Sequence, residues 1–512
     1  MAEASAASGS TIDQVGKIEK NDLEPILLKY RHGTPRSLYG MWIGANTNYV
    51  VMLNGVLLIT LGLGFWQAVT AVIIGNVLGC AVLGLSSIMG PRTGTAGIVT
   101  SRTSFGQLGS YLAVIISAVS VLGWFSINSV VATDGLNELL KLAGAPDSTV
   151  ILFACMFLIL VMEITVAIYG HATILKIESW IAIVLGVLFF IMLLFVLPKM
   201  DWSFASSIEN GPGISNWGMW LLATGIMFSY PLSWTNFASD YSRYLDPKTS
   251  WKKVALYAGG GQFTALVLTE FVGICVGIAA MTAFGEIGGT PGTLAENLVP
   301  TWFFVLFMLA VVFGCVATNV PNGYTAGLHL LALRLPLKRV AAILVIAAIT
   351  LVFRIVTLIY GEFYSLYQSW LIYIIVWTCP WIAIVLADFF LRRGNYDSVD
   401  LMKWRDNQYW YRGGVFWAGI VAFIAAIVIS LAFTNSALYA SPLMTKYFGG
   451  ADLSYFAGII VALVLFIALA SRSETYKRAR AMKTSVFSAD EAVQPREESI
   501  SAQVPVVEPE GA

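Results

Sequence analysis

The feature that most restricts how this chain can fold is a row of twelve apolar runs, each of helical membrane-crossing length. They lie at 39–63, 66–89, 110–141, 149–170, 175–198, 217–240, 251–283, 302–332, 338–360, 363–391, 413–434 and 453–471. A helix of about 20 residues covers the hydrocarbon of a bilayer, so every run qualifies and the longest must tilt or project. The runs are continuous, whereas the strands of a membrane barrel alternate. Composition points the same way. Of 512 residues, 57% are hydrophobic and only 12% are charged, against about 25% charged in a soluble domain. The predicted fold is an all-α polytopic membrane protein with twelve transmembrane helices.

Loop charge tests the number of spans. With the N-terminus in the cytoplasm, the inner segments hold 26 of the 30 Lys and Arg residues, and the outer loops hold only Lys141, Lys199 and Lys446. Arg354 falls within a span. This is a strong positive-inside pattern, and one misplaced span would scramble it. Both termini are therefore expected on the cytoplasmic side of the plasma membrane. Residues 1–36 read as a cytoplasmic tail without the pattern of a cleaved signal peptide, and 472–512 as a disordered cytoplasmic tail. Between them, 37–471 form one twelve-helix domain.

Several function classes drop out. Lys+Arg and Asp+Glu balance at 30 each, which leaves no electrostatic case for nucleic acid. Three His and five scattered Cys offer no metal set and no disulfide framework. An enzyme would need a nucleophile, a metal site or paired carboxylates at one level, and no such constellation appears. No cofactor is implied. The expected partners are the lipid bilayer and a small molecule, with no obligatory protein partner evident.

Polar residues inside spans are costly and mark pathways or packed interiors. Here they concentrate in the first ten spans, while the last two are apolar in their centres. Ten divides into two fives, and an odd number puts the second five in the opposite orientation. That assigns repeat one to 37–200, repeat two to 215–391 and an accessory pair to 411–471. Such folds place their site where the first helix of each repeat is interrupted. Span 1 carries Gly44-Ala45-Asn46-Thr47-Asn48, with Asn54-Gly55 after it, and span 6 carries Ser229-Tyr230-Pro231-Leu232-Ser233 before Trp234. Pro231 removes a backbone donor and clashes with the preceding turn. The competing explanation is an ordinary proline kink with packing glycines.

Span 3 holds Gly123-Trp124-Phe125-Ser126-Ile127-Asn128. Trp usually sits at the membrane interface, yet Trp124 is near mid-span, and Asn128 shares its face one turn on. An indole beside an amide suits a flat, hydrogen-bonding heterocycle. It equally suits bulky packing with an amide bonded across to a neighbouring helix. Span 6 repeats the chemistry in Ser233-Trp234-Thr235-Asn236, and span 8 adds Thr318-Asn319-Val320-Pro321-Asn322-Gly323. Together these form a coherent set for an aromatic ring.

Four motifs give the chain a family likeness: Gly90-Pro91-Arg92-Thr93-Gly94 leading to Ser101-Arg102-Thr103-Ser104-Phe105-Gly106, Gly123-Trp124-Phe125 with Asn128, Ser239-Asp240-Tyr241-Ser242-Arg243-Tyr244, and Asn319-Val320-Pro321-Asn322. With these the sequence resembles the nucleobase–cation symporter-1 family, purine-cytosine permease branch, across most of 30–400. The resemblance implies a LeuT-like five-plus-five inverted repeat with two accessory helices. It implies import of a nucleobase, cytosine or a purine, with a cation by alternating access. It also implies that Trp124 and Trp234 sandwich the ring while Asn128 and Asn322 bind its edges. Relatives handle uracil, allantoin, hydantoins or vitamin precursors in similar cradles, so such a heterocycle is the alternative substrate.

The sequence departs from the family at two points. Ser233 stands where a glycine is expected before Trp234, which narrows the cradle. Ala317 precedes Thr318, so the hydroxyl pair of sodium-coupled relatives is incomplete. Sodium, like other hard cations, wants several oxygen ligands; Thr318 and the backbone near Asn46 are what this chain offers. Proton coupling needs a membrane carboxylate that can take up and release a proton, for which Glu270 and Glu178 are the candidates. Either could instead be structural, Glu178 with Lys176 and Glu270 with another helix. The coupling ion is H+ or Na+, with H+ favoured. Glu163 and Arg354 are read as structural partners. Asp240 and Arg243 are spaced to pair at (i, i+3), either as a cytoplasmic gate, with the Gly90–Gly106 stretch as a tight loop against it, or as a surface ion pair worth little.

Overall fold

The computed structural model describes residues 25–481, apart from 27, 168–170, 288–291, 294–295, 334–343, 346–347, 353–354 and 356–362. It is an all-α polytopic membrane protein. Among the described residues, six helices are long and apolar enough to cross a membrane, and up to eight spans result if each of two bent pairs is one span. Two further apolar helices are shorter. Most of the ninth expected span, including Arg354, lies outside the described residues, as does the side chain of Glu178.

Span 1 is broken. Helix α1 (Pro35–Asn46) starts on a Thr34–Ser37 capping box with Pro35 in its first turn, where a missing N–H costs nothing. Its successor α2 (Tyr49–Thr60) starts on Asn48, whose side chain accepts the Val51 N–H at 3.1 Å. The two axes differ by 60°. An Asn with extended backbone ends one helix and caps the next, so the Gly44–Asn48 stretch supplies both the break and its repair.

Span 2 is α3 (Phe65–Ser87). The stretch expected to be a tight loop is instead two short helices, α4 (Met89–Thr93) and α5 (Gly97–Phe105). Then come α6 (Ser110–Leu142), α7 (Thr149–Ala167) and α8 (His171–Val196). Helix α9 (Asn216–Ser233) stops two residues beyond Pro231, and the chain runs through tight turns at 234–237 into α10 (Ala238–Ser242). Proline withdraws one helical hydrogen bond, and Trp234 and Thr235 bond three residues back rather than four. The long helices α11 (Trp251–Phe284), α12 (Thr301–Ala332) and α13 (Phe363–Leu391) follow. After the short α14 (Ser398–Met402), α15 (Trp417–Ala432) and α17 (Ser454–Ala470) pack on each other across a small α16 (Pro442–Tyr447).

Two packed groups make the interior. Helix α11 lies against α1, α2 and α3, and α3 lies against α9; separately, α12 lies against α6, α7 and α8. Small residues set the spacing. A side chain at Gly55 would collide with the Glu270 backbone, and one at Gly273 with the Met52 backbone, so α2 and α11 run in backbone contact. Such close approach is how membrane helices associate where burial gives no hydrophobic gain.

The first part of the C-terminal tail departs from expectation, and 482–512 lie outside the described residues. Disorder was expected from residue 472, but Glu474–Ala481 form a helix, α18, turned 84° from α17. Its anchor is Tyr476, fully buried, whose hydroxyl donates to Asp388 Oδ1 at 2.7 Å. Asn395 bonds the Ala479 carbonyl and Arg480 the Leu391 carbonyl. Asp388 and Arg392 form a fully buried ion pair at 2.9 Å, with Arg392 also bonded to the Tyr411 hydroxyl and set over the rings of Tyr409 and Tyr476. A polar sequence thus orders because a buried charge pair needs its hydroxyl.

Candidate functional site: an aromatic cradle beside a buried carboxylate

The two helix breaks face an aromatic cluster. Trp124, on α6, is buried and meets Tyr230 of α9 edge-on, with ring centroids 5.0 Å apart. It also meets Tyr367 of α13 at 6.4 Å. Gly123 allows this arrangement, because a side chain there would run into the Trp370 ring. Trp234 caps α9 and meets Trp42 of α1 at 5.8 Å and Phe237 at 6.1 Å, both edge-on. The Tyr230 hydroxyl lies within hydrogen-bonding reach of the Asn48 and Trp234 side chains, so it connects the two breaks. The Trp124 and Trp42 indole N–H groups are buried without a protein partner.

The amides divide into two kinds. Asn128 donates to the Trp124 carbonyl of its own helix at 2.9 Å, and Asn322 donates to Asn319 Oδ1 at 3.2 Å. Each donation leaves the residue's own carbonyl oxygen outside those bonds. Asn319 is tied up differently. Its amide reaches the Phe125 carbonyl, Ser129 and Glu163, locking α12 antiparallel to α6. Glu163, fully buried, also receives the Ser129 hydroxyl at 2.6 Å, which agrees with a structural role. Ser233 bonds the Tyr230 carbonyl at 2.7 Å.

Glu270, fully buried on α11, receives Asn54 of α2 at 3.0 Å and Asn76 of α3 at 2.5 Å. Asn54 is held in turn by the Tyr367 hydroxyl, which donates to its Oδ1 at 2.5 Å. Tyr367 therefore touches both the carboxylate's partner and the Trp124 ring. Asn54, Asn76, Tyr230 and Tyr367 were not assigned roles from the sequence. Each lies in an apolar run, and the bonds that tie Asn54, Asn76 and Tyr367 into the Glu270 network join residues 194 to 313 positions apart.

The residues proposed for sodium lie on different helices, Asn46 on α1 and Thr318 on α12. Thr318 donates to the Gly314 carbonyl of its own helix, and Asn46 donates to the Trp42 carbonyl while facing Gln262 on α11. No bond between Asn46 and Thr318 occurs among the described residues. Nor is there a cluster of three or more His, Cys, Asp or Glu there that could hold a metal. Asp240 and Arg243 also differ from expectation. Asp240 Oδ1 accepts the Gly97 N–H at 2.7 Å, and Arg243 lies buried over the Tyr244 ring. The (i, i+3) ion pair is not formed, because α10 is seated on α3–α5 by Ser239, Ser242 and Asp240. Arg31 seals the same face, donating to the Pro91 carbonyl at 2.8 Å.

Comparison with known proteins agrees with this architecture. A family profile described as "Permease for cytosine/purines, uracil, thiamine, allantoin" matches residues 25–458. A putative purine-cytosine permease of Bacillus subtilis is 28% identical over 462 residues, covering 88% of this chain and 96% of its own. A purine-cytosine permease of Emericella nidulans is 24% identical, covering 84% and 83%. Among solved structures, a nucleobase-cation-symport-1 family transporter in a closed conformation with bromovinylhydantoin bound superposes with a TM-score of 0.72. It is 19% identical and covers 90% of this chain and 98% of its own.

Proposed function

The chain belongs to the family of permeases for cytosine/purines, uracil, thiamine and allantoin, and from that premise we propose that it imports cytosine or a purine with a proton by alternating access. It is a secondary transporter of nucleobase-like small molecules, not an enzyme. In this proposal twelve spans form a five-plus-five inverted repeat over 37–200 and 215–391 with an accessory pair over 411–471. Both termini lie on the cytoplasmic side of the plasma membrane.

The observation that carries the substrate assignment is the Trp124 indole N–H, buried without a protein partner, with its ring edge-on to Tyr230 at the span-6 break. An unmade hydrogen bond of this kind costs about 1–3 kcal/mol, which a ring with acceptor atoms would recover. Trp124 and Trp234 flank the base, Asn128 and Asn322 present their carbonyl oxygens to its edge, and Ser233 borders the cradle. Asp240 closes the cytoplasmic end by holding the N-terminus of α5. Proton coupling is assigned to Glu270, whose partners are neutral amides rather than a cation. Thr318 and Asn46, which face different neighbours, give sodium a thin ligand set.

The test is uptake of radiolabelled cytosine and adenine in cells lacking their own carriers, challenged by a competition panel. The panel includes uracil, allantoin and thiamine precursors, because the family description spans them. Concentrative uptake that collapses with a protonophore and ignores replacement of sodium by choline supports the proposal. Uptake that only equilibrates, or that needs sodium and ignores pH, refutes it.

A further inference from the structure

Three helices meet at the Glu270 carboxyl, a fourth reaches it through Asn54, and the two amides that touch it are held in opposite ways. Asn54 is pinned. Its Nδ2 donates to Glu270 Oε1 at 3.0 Å, and its Oδ1 accepts the Tyr367 hydroxyl at 2.5 Å. Asn76 is pinned at one end only. Its Nδ2 donates to Glu270 Oε2 at 2.5 Å, while its Oδ1 is buried with no hydrogen-bond partner. Both amides are fully buried, so water does not complete the set from the surface.

The orphan acceptor has chemical consequences. An ionised carboxylate accepts hydrogen bonds only, and a protonated one must donate its O–H. In the ionised state both amides donate, as observed. In the protonated state the O–H needs an acceptor, and Asn54 Oδ1 is already occupied by Tyr367. Asn76 Oδ1 is the acceptor left over. The Asn amide torsion is broad and nearly two-fold, so a half-turn exchanges Nδ2 for Oδ1 at nearly the same place. We propose that Asn76 is the switching partner of a proton site at Glu270, donating to the carboxylate and accepting from the carboxylic acid, while the Asn54–Tyr367 bond reports the change to the Trp124 cradle. The inference rests on the assignment of Glu270 as the proton carrier. A proton from water outside binds Oε2 and is carried as O–H···Oδ1. It returns to water inside, with no other bond made or broken.

The surroundings suit a proton rather than a fixed charge. The titratable groups that face Glu270 are Cys80 from α3, Tyr230 from α9 and Tyr367 from α13, all neutral at physiological pH. Helix α2 brings Asn54 to the carboxyl, and α1 packs on α11 with Tyr39, bonded to Thr264, and Asn46, which accepts from Gln262 of α11. The described part of α8, from 180 to 196, has no charged residue. Among the described residues no cation pairs with the carboxylate.

The test uses the full chain in proteoliposomes, with initial uptake of radiolabelled cytosine or adenine measured against external pH. Asn76→Leu keeps the volume but removes donor and acceptor. The charge-assisted bond it loses is about twice as strong as the neutral one. The uptake profile is therefore expected to move about one pH unit alkaline. In a Glu270→Gln background the same substitution should shift nothing. Tyr367→Phe frees Asn54 and should lower the number of protons carried per base. If Asn76→Leu does not assemble, Asn76→Ser, with a shorter reach, should give a smaller shift of the same sign. An unmoved profile in the Asn76 variant, with accumulation lost in Glu270→Gln, overturns the switch but leaves the carrier. Accumulation retained in Glu270→Gln overturns the carrier itself.

Discussion

Truncating Trp124 separates recognition from packing. Base stacking on an aromatic side chain is worth about 1–3 kcal/mol by alanine substitution, so Trp124→Ala should weaken base binding by about 5- to 150-fold. The same change removes edge-on contacts with Tyr230 and Tyr367, at 5.0 and 6.4 Å. Those contacts contribute about 0.5–1.5 kcal/mol each, so some stability is lost as well. Trp124→Phe divides the two terms. It keeps an aromatic face toward the base, and it breaks no hydrogen bond in the protein because the indole N–H has no partner there. The Phe variant should regain most of the packing, and any affinity still missing measures the indole N–H bond to the base. The assay is equilibrium binding of radiolabelled base to purified protein, beside its thermal unfolding midpoint. Trp234→Ala, which leaves Trp42 and Phe237 without their neighbour, should weaken binding over the same range. Unchanged affinity in both alanine variants would refute the aromatic cradle.

Asn128→Ala and Asn322→Ala should reorder cytosine against purines in a competition panel, because a site built to bond a ring edge rejects analogues that leave its own groups unpaired; a uniform loss for all ligands would make them scaffold. Glu270→Gln mimics the permanently protonated acid, so counterflow exchange should persist while accumulation against a gradient falls to equilibrium; wild-type uptake should rise as external pH falls from about 7.5 to about 5.5. Arg392→Met strands Asp388 in a fully buried position and should cost about 3–5 kcal/mol, read as a lowered unfolding midpoint; an unchanged midpoint would mean that the pair is compensated elsewhere.

The sequence is a good guide where structure is local and a poor one where bonds are distant. The break in span 1 is legible because Asn48 caps the helix that follows it, accepting the N–H three residues ahead, and the break in span 6 because Pro231 disrupts its own turn. Trp124 stands out because an indole at mid-span is unusual. The hydrogen-bond network around Glu270 has no local signature: Asn54 is 216 residues from Glu270, Asn76 is 194 from it, and Tyr367 is 313 from Asn54. Asp240 and Arg243 misled for the converse reason. Their spacing permits a pair, but Asp240 Oδ1 accepts a backbone N–H 143 residues away, a partner that spacing does not reveal. In the tail, composition argued for disorder, and one tyrosine facing a buried ion pair overrode it.

These distant bonds also account for how a base and a proton could influence one another without touching. Trp124 lies on α6, Tyr367 on α13, Asn54 on α2 and Glu270 on α11, and each contacts the next. The chain of contacts therefore crosses from the group packed around α12 to the group packed around α11. A ring seated on Trp124 would constrain Tyr367, and Tyr367 determines whether Asn54 can turn. Binding linkage is reciprocal, so whatever factor the base adds to proton affinity, the proton adds to base affinity. A direct contact between the two ligands would require both at one place. A pinned amide between them lets the ring stay in an apolar, aromatic environment and the proton on a buried carboxyl, each suited to its own chemistry. The small residues that press α2 against α11 at Gly55 and Gly273 keep that amide within bonding distance. In the proposed coupling the backbone contact would serve the proton site as well as the fold.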